Sequence, residues 1–75
     1  MDERVFVWSG GRRVRIVVAD VPGDHERLFD RVTRDARRID DRERLADDVS
    51  AIFNAHVRIE RGEVDGVEEI VLRVG

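Results

Sequence analysis

Two adjacent glycines, Gly10 and Gly11, lie between two runs of alternating residues and constrain this chain more than any other feature. The runs are Val5–Trp8 and Arg13–Val18. Both central positions of a primed two-residue turn need a positive φ angle, which glycine adopts without steric cost. We therefore predict a β-hairpin with the glycine pair at its tip.

The two-residue turn sets which residues of this hairpin share a face of the sheet. In this register Trp8 lies opposite Arg13, and Phe6 lies opposite Arg15. One face then carries the aliphatic residues Val5, Val7, Val14, Ile16 and Val18. The other face carries Arg4, Phe6, Trp8, Arg13, Arg15 and Val17. Large apolar groups on both faces indicate that something covers the aromatic face.

Chain length and composition limit the classes to which this protein can belong. A chain of 75 residues forms one domain, residues 1–75, with a core too small for high stability without a partner. Disulfides and thiolate chemistry are excluded because there is no cysteine. The acidic start of the chain does not resemble a signal peptide, and no stretch is apolar enough to span a membrane. We expect a cytoplasmic protein that does not associate with membranes.

Every basic residue is arginine, and the net charge is -3. Arginine stacks on aromatic rings and grips phosphate or carboxylate with two hydrogen bonds. A coding bias that favours Arg, Asp, Val and Gly together is the competing explanation. The spread of arginines over every segment favours the coding bias.

Two amphipathic helices are expected after the hairpin. Asp24 caps a helix that runs to about Ile39. A capping-box pattern at Asp40 predicts a second helix from Asp41 to about Asn54. One kinked rod is the alternative to two separate helices. The apolar stripes comprise Leu28, Phe29, Val32, Ala36 and Ile39, then Leu45, Ala46, Val49, Ile52 and Phe53.

A second hairpin closes the sequence, with strands at His56–Glu60 and Glu69–Val74. A turn at Asp65-Gly66 pairs Ile59 with Leu72. The core face of this hairpin comprises Val57, Ile59, Ile70, Leu72 and Val74, and its exposed face His56, Arg58, Glu60, Glu69, Val71 and Arg73. The order ββ-αα-ββ predicts an α+β two-layer sandwich, in which a four-stranded antiparallel sheet carries both helices on one face.

Catalytic groups are scarce, because the chain has only two His and no Cys. Two clusters resemble metal sites. In the first, Asp40 and Asp41 are explained by helix capping, and Asp47 and Asp48 are expected on the solvent side of the helix. The second, Asp24, His25 and Glu26, is explained as a capping segment. We expect no enzyme activity, no catalytic residue, no metal and no cofactor.

The bare sheet face is the candidate working surface. It comprises Phe6, Trp8, Arg13, Arg15, Val17, Arg58, Val71 and Arg73. Trp and Arg are enriched at interface hot spots, and covering this face with a second copy adds the apolar burial that a small core lacks. We therefore expect a small interaction or regulatory module that forms a homodimer through the exposed face or edge of its sheet, with Trp8 and Phe6 as anchors.

Single-stranded nucleic acid is the alternative partner for this face. Bases stack on aromatic rings of antiparallel sheets, and arginines contact the phosphates. A third interpretation needs no ligand, because Arg13 can stack on Trp8 and Arg15 on Phe6 across the strands. The dependence of binding on salt distinguishes the homodimer from the nucleic-acid hypothesis, since phosphate binding weakens as salt rises whereas apolar association does not.

Overall fold

The computed structural model describes residues Met1–Gly75 and contains four strands and two α-helices. The elements in chain order are β1 (Asp2–Trp8), β2 (Arg12–Val18), α1 (His25–Asp35), α2 (Arg42–Phe53), β3 (Val57–Val64) and β4 (Val67–Val74). Short 3-10 turns occupy Ser9–Gly11 and Ala36–Arg38. The predicted ββ-αα-ββ order and the two-layer α+β class are confirmed.

The strand order across the sheet is β1-β2-β4-β3, with one hairpin on each side. Both hairpins are antiparallel, as predicted, but β2 and β4 pair in parallel at the centre. The segment Glu69–Leu72 is buried along its whole length, whereas burial in β3 alternates. A strand buried on both faces belongs at the centre of a sheet, and an alternating one belongs at an edge. Because β4 rather than β3 lies beside β2, the central pair is parallel, and the sheet is mixed rather than wholly antiparallel.

The core lies between the sheet and the two helices. It comprises Trp8, Val14, Ile16, Val18, Ile70, Leu72 and Val74 from the sheet, and Phe29, Val32, Ala36, Leu45, Ala46, Val49 and Phe53 from the helical segment. The predicted helix stripes supply all of the buried helical positions. Because both helices pack on this one face of the sheet, the opposite face has no element over it.

The two helices are separate, and an aspartate caps each. Asp24 accepts a hydrogen bond from the Arg27 amide, and Asp41 accepts one from the Arg44 amide, each at 3.3 Å. The cap of α2 is thus Asp41, one residue later than predicted from the pattern at Asp40. Ile39 has an extended conformation, with φ -121° and ψ 131°, which separates the two helices.

The register of the first hairpin differs from the prediction by one residue. The loop between β1 and β2 contains three residues, so Trp8 pairs with Arg12 and Phe6 pairs with Val14. A one-residue shift moves every β1 side chain to the other face. Phe6 and Trp8 therefore face the helices. Burying a tryptophan contributes about 4 kcal/mol from its apolar area, which favours this register over one that buries the β1 valines.

The second hairpin has the predicted register. Asp65 and Gly66 form its two-residue turn with φ angles of 51° and 79°, and Ile59 pairs with Leu72. Positive φ at both central positions is the geometry of a type I′ turn, which Asp-Gly favours. Ile59 lies on the helix side but stays partly exposed, because β3 is an edge strand.

Candidate functional site

We call the sheet face opposite the helices the open face. Its residues are Glu3, Val5 and Val7 of β1, Arg13, Arg15 and Val17 of β2, Val67, Glu69, Val71 and Arg73 of β4, and Arg58, Glu60, Gly62 and Val64 of β3. Six of the eight predicted interface residues lie there: Arg13, Arg15, Val17, Arg58, Val71 and Arg73. The two predicted aromatic anchors do not. The role of the other six at an interface stays a prediction.

Trp8 lies in the core, where only 4% of its surface is exposed. Its indole N–H donates to the carbonyl oxygen of Ala36 at 3.1 Å and to that of Ile39 at 2.8 Å. Trp8 therefore joins the first hairpin to the connection between the helices. Arg12, rather than Arg13, stacks on the indole, with its guanidinium carbon 3.9 Å from the ring centroid. The prediction that Trp8 is an anchor on the open face is wrong.

Phe6 is half-buried on the helix side and packs against the core. The predicted stacking of Arg15 on Phe6 is absent, because the two side chains lie on opposite faces of the sheet. With Phe6 and Trp8 on the helix side, the strands of the open face contain neither of the rings that the hypothesis assigned to base stacking. The stacking half of the nucleic-acid hypothesis therefore has no residues there.

Glu69 is the centre of an ion-pair network on the open face. Its side chain is 2% exposed, and Arg15 donates to it twice, from Nε to Oε1 at 3.0 Å and from Nη2 to Oε2 at 3.2 Å. Arg15 also donates to Glu3 at 2.7 Å, and Arg13 Nε lies 4.0 Å from Glu69. Hydrogen bonding to Glu69 raises the pKa of Arg15. The buried carboxylate is thus fully paired.

A second network on the open face is centred on Glu60 of β3. Arg73 Nε donates to Glu60 at 2.7 Å, and Arg58 Nη2 lies 3.5 Å from the other oxygen of the same carboxylate. All four arginines of the predicted phosphate-binding surface therefore have a glutamate partner within the chain. A phosphate could bind Arg15 or Arg73 only by displacing these carboxylates, whereas Arg13 and Arg58 donate no hydrogen bond to their glutamates.

The β1 edge, which we define as the outer side of Val5–Trp8, has no such charges. Val5 is 40% exposed and Val7 is 73% exposed on the open face. No residue of this four-residue stretch is ionisable, whereas the opposite edge strand contains Arg58, Glu60, Arg61 and Glu63. Charged side chains on an edge strand discourage pairing with another chain. The outer edge of β1 thus has an uncharged half, Val5–Trp8, beyond its charged half, Asp2–Arg4, whereas charged residues run along most of β3.

A groove runs along the helix side of the β1 edge. It has a volume of about 220 Å³ and is lined by Phe6, Val7, Trp8, Ser9, Thr33, Ala36 and Arg37. The groove therefore lies between the last residues of β1 and the C-terminal part of the first helical segment. It is large enough for one bulky side chain of a strand added to the edge.

His25 has a structural role. Its Nδ1 lies 2.6 Å from an Asp2 carboxylate oxygen, and its Nε2 contacts the carbonyl oxygen of Val21. The hydrogen bonds to Asp2 and then to Val21 raise the pKa of His25 above its ordinary value. A protonated ring that donates from both nitrogens holds β1 to the start of α1. In this arrangement His25 has no free nitrogen with which to activate a nucleophile.

Sequence reasoning missed two features of this region. The exposure of Val5 and Val7 follows from the three-residue turn, and comparing both turn lengths by the aromatic area that each buries would have found it. The burial of Glu69 depends on Arg15 of a strand far away in sequence. No local pattern indicates that pairing, because it requires knowing that β2 and β4 are neighbours.

The remaining observations about the whole chain are negative. No group of three or more His, Cys, Asp or Glu side chains is arranged to hold a metal ion. Neither helix has the length and apolar character needed to cross a membrane. No protein-family model, curated protein or solved structure matches this chain.

Proposed function

We propose that this protein is a non-enzymatic interaction module that forms a homodimer by antiparallel pairing of the β1 strands of two copies. The observation that carries the proposal is the exposure of Val5 and Val7 on an edge strand that has no charged residue from Val5 to Trp8. An edge strand presents unpaired backbone N–H and C=O groups, and a second copy of the same strand satisfies them.

One register suits two identical strands best. If the twofold axis passes through Phe6, Val5 of one copy lies opposite Val7 of the other, on the open face. Four valines then form one apolar patch across the joined sheets. A twofold axis through Val5 would instead place Val7 opposite Glu3 of the second copy, which is a poorer pair.

Charge supports the Phe6-centred register. Asp2 and Glu3 of each copy then lie beyond the apolar stretch, at opposite ends of the pairing, so that like charges do not face each other. On the helix side, Phe6 lies opposite Phe6 of the second copy. The groove beside β1 offers space for that ring.

Light scattering on a size-exclusion peak tests the proposal. We expect a nucleic-acid-free dimer of about twice 8.7 kDa for the unmodified chain. Val7→Lys places a charge on the edge and should give a monomer that keeps its circular dichroism spectrum. The control is Val67→Lys, at an exposed valine on β4 beside the second turn, which should leave the dimer intact.

Cysteine pairing tests the register, since the chain has no cysteine of its own. Directly opposed residues have Cα atoms about 4.5 to 5.5 Å apart, within the range of a disulfide. A mixture of Val5→Cys and Val7→Cys proteins should form a mixed disulfide faster than either protein links to itself. A monomer at all concentrations, or a dimer that Val7→Lys leaves intact, would overturn the proposal. So would a peak that carries nucleic acid.

A further inference from the structure

A cleft lies between the tips of the two hairpins, and the proposed dimer does not use it. It has a volume of about 500 Å³, and only one of its ten lining residues, Ile70, is apolar. We call it the arginine cleft, after Arg12, Arg13, Arg42 and Arg61. These four come from β2, the first turn of α2 and β3, and the cleft shares no residue with the β1 edge.

Arg12 is held rigidly at the wall of the cleft. Its guanidinium stacks on Trp8, Nε donates to the Ser9 carbonyl, and Nη2 donates to the Ser9 hydroxyl and the Asp40 carbonyl, all three at 2.9 Å. Its Nη1 atom donates to no protein acceptor. A fixed guanidinium with free N–H groups loses little conformational entropy when it binds an anion.

The other cationic groups of the cleft have no full partner. Arg42 and Arg61 form neither an ion pair nor a side-chain hydrogen bond. The nearest carboxylate to Arg13 is Glu69, at 4.0 Å, and that group already takes two hydrogen bonds from Arg15. Most of the hydrogen-bonding capacity of the four guanidinium groups is therefore unused.

The acidic groups of the cleft limit the kind of anion that fits. Glu63 and Glu68 lie directly opposite each other across the second hairpin, and neither has an ion-pair partner. Like charges in opposed positions destabilise a strand pair, and they also repel a long polyanion that extends over them. A small anion brings fewer negative charges near these glutamates than a nucleic-acid strand does, so the glutamates favour a small anion.

We propose that the arginine cleft binds a small phosphorylated compound through its phosphate group. Phosphate oxygens accept paired hydrogen bonds from guanidinium groups, and each such pair fixes orientation as well as adding affinity. Arg42 and Arg61 are the principal contacts, Arg12 forms the fixed wall, and Arg13 adds a fourth cationic group. The proposal does not depend on the dimer.

Titration with inorganic phosphate and with pyrophosphate, followed by amide chemical shifts at low ionic strength, tests the proposal. We expect saturable shifts at Gly11 and Gly62, which line the cleft, with dissociation constants of about 1 mM or tighter. Arg42→Gln and Arg61→Gln should each weaken binding at least about fivefold. Arg34→Gln, which removes an exposed charge from α1 outside the cleft, should change binding less than about twofold.

Glu68→Gln gives a result of opposite sign, because it removes repulsion from the cleft while keeping its arginines. It should tighten phosphate binding about two- to fivefold. The dispersion of each amide spectrum reports whether the variant is folded. Unsaturable shifts, or equal weakening by Arg34→Gln and Arg42→Gln, would overturn the proposal. Tighter binding of a single-stranded oligonucleotide than of pyrophosphate would replace it with nucleic-acid binding.

Discussion

Trp8 and Arg12 face each other across the first hairpin, and the Arg12 guanidinium carbon lies 3.9 Å from the centroid of the indole ring. This pair joins two parts of the chain. Trp8 donates to the carbonyls of Ala36 and Ile39, and Arg12 donates to the carbonyl of Asp40. The hairpin and the connection between the helices therefore depend on the same two side chains.

Trp8→Phe should lower the free energy of unfolding by about 2 to 3 kcal/mol. The substitution keeps an aromatic ring but removes the N–H that serves two carbonyls, and it leaves a small cavity. Urea denaturation followed by circular dichroism measures the change. Val67→Ala, at an exposed position, serves as the control and should cost less than about 0.5 kcal/mol. A loss below about 1 kcal/mol would contradict the structural role of the indole N–H.

Glu69→Gln should cost more stability than Glu60→Gln. Glu69 is 2% exposed and has two hydrogen bonds to Arg15, so the change leaves that guanidinium without its buried counter-charge. Because Arg15 still reaches water, we expect a loss of about 1 to 2 kcal/mol. The Glu60 carboxylate is 37% exposed, and its removal should cost less than about 1 kcal/mol. Equal losses in chemical denaturation would show that burial of Glu69 is unimportant.

Gly62→Ala should destabilise the sheet by about 1 to 2 kcal/mol although its backbone is ordinary. A Cβ atom at this position would lie 2.8 Å from the Cγ2 atom of Val71, a branched side chain that cannot easily move away. Val71→Ala removes the clashing methyl, so the double variant should lose less than the two single losses added together. A double-mutant cycle measures this coupling, and strict additivity would contradict the steric explanation.

We expect ionisation of Asp48 to lower the free energy of unfolding as the pH rises. Burial, followed by a hydrogen bond with Asp35 and the charge of Asp35, raises the pKa of Asp48 to about 6 from 3.8. The folded state therefore favours the neutral acid. The stability that this provides is complete below about pH 4 and is lost between about pH 4 and pH 6.

Asp48→Asn cannot ionise, so it should be more stable than the unmodified chain at pH 7 by about 1 to 2 kcal/mol after allowance for solvent screening. The difference should shrink toward zero or reverse at pH 4. Thermal unfolding at both pH values measures it. Asp47→Asn, at the exposed neighbouring position, should show no such pH dependence. A stabilisation by Asp48→Asn that is the same at both pH values would exclude titration of Asp48 as its cause.

Local patterns predicted most of the fold. The Asp65-Gly66 turn gave the correct register of the second hairpin because both of its residues adopt positive φ, and a longer loop with an even shift of register would have left the same residues on each face. The helix stripes were correct because their spacing depends only on the helical period. The first hairpin has two adjacent glycines and a neighbouring serine, so turns of two and of three residues are both open to it. Tertiary burial of Trp8 decides between them, and the local sequence does not contain that information.

The central β2–β4 pairing and the Glu69 network that depends on it could not be predicted in the same way. Arg15 lies beside Val71 only because the two hairpins join in parallel, and nothing near either residue in the sequence specifies the neighbour. The predicted arginines therefore lie on the open face, whereas the predicted aromatic residues lie on the helix side. The exposed valines of β1 took the place of those aromatic residues as the most apolar part of the accessible sheet.

The position of β4 also bears on how the chain acquires its structure during synthesis. β4 follows every other element along the chain, yet it lies between β2 and β3 and carries Ile70, Leu72 and Val74. Until it has left the ribosome, the first hairpin and both helices lack one of the two central strands of the sheet, and β3 has no strand to pair with. Pairing between such distant segments is slow because a long loop must close first. Premature termination before β4 would therefore remove one of the two central strands, leaving the first hairpin, both helices and an unpaired β3 rather than a smaller version of the same domain.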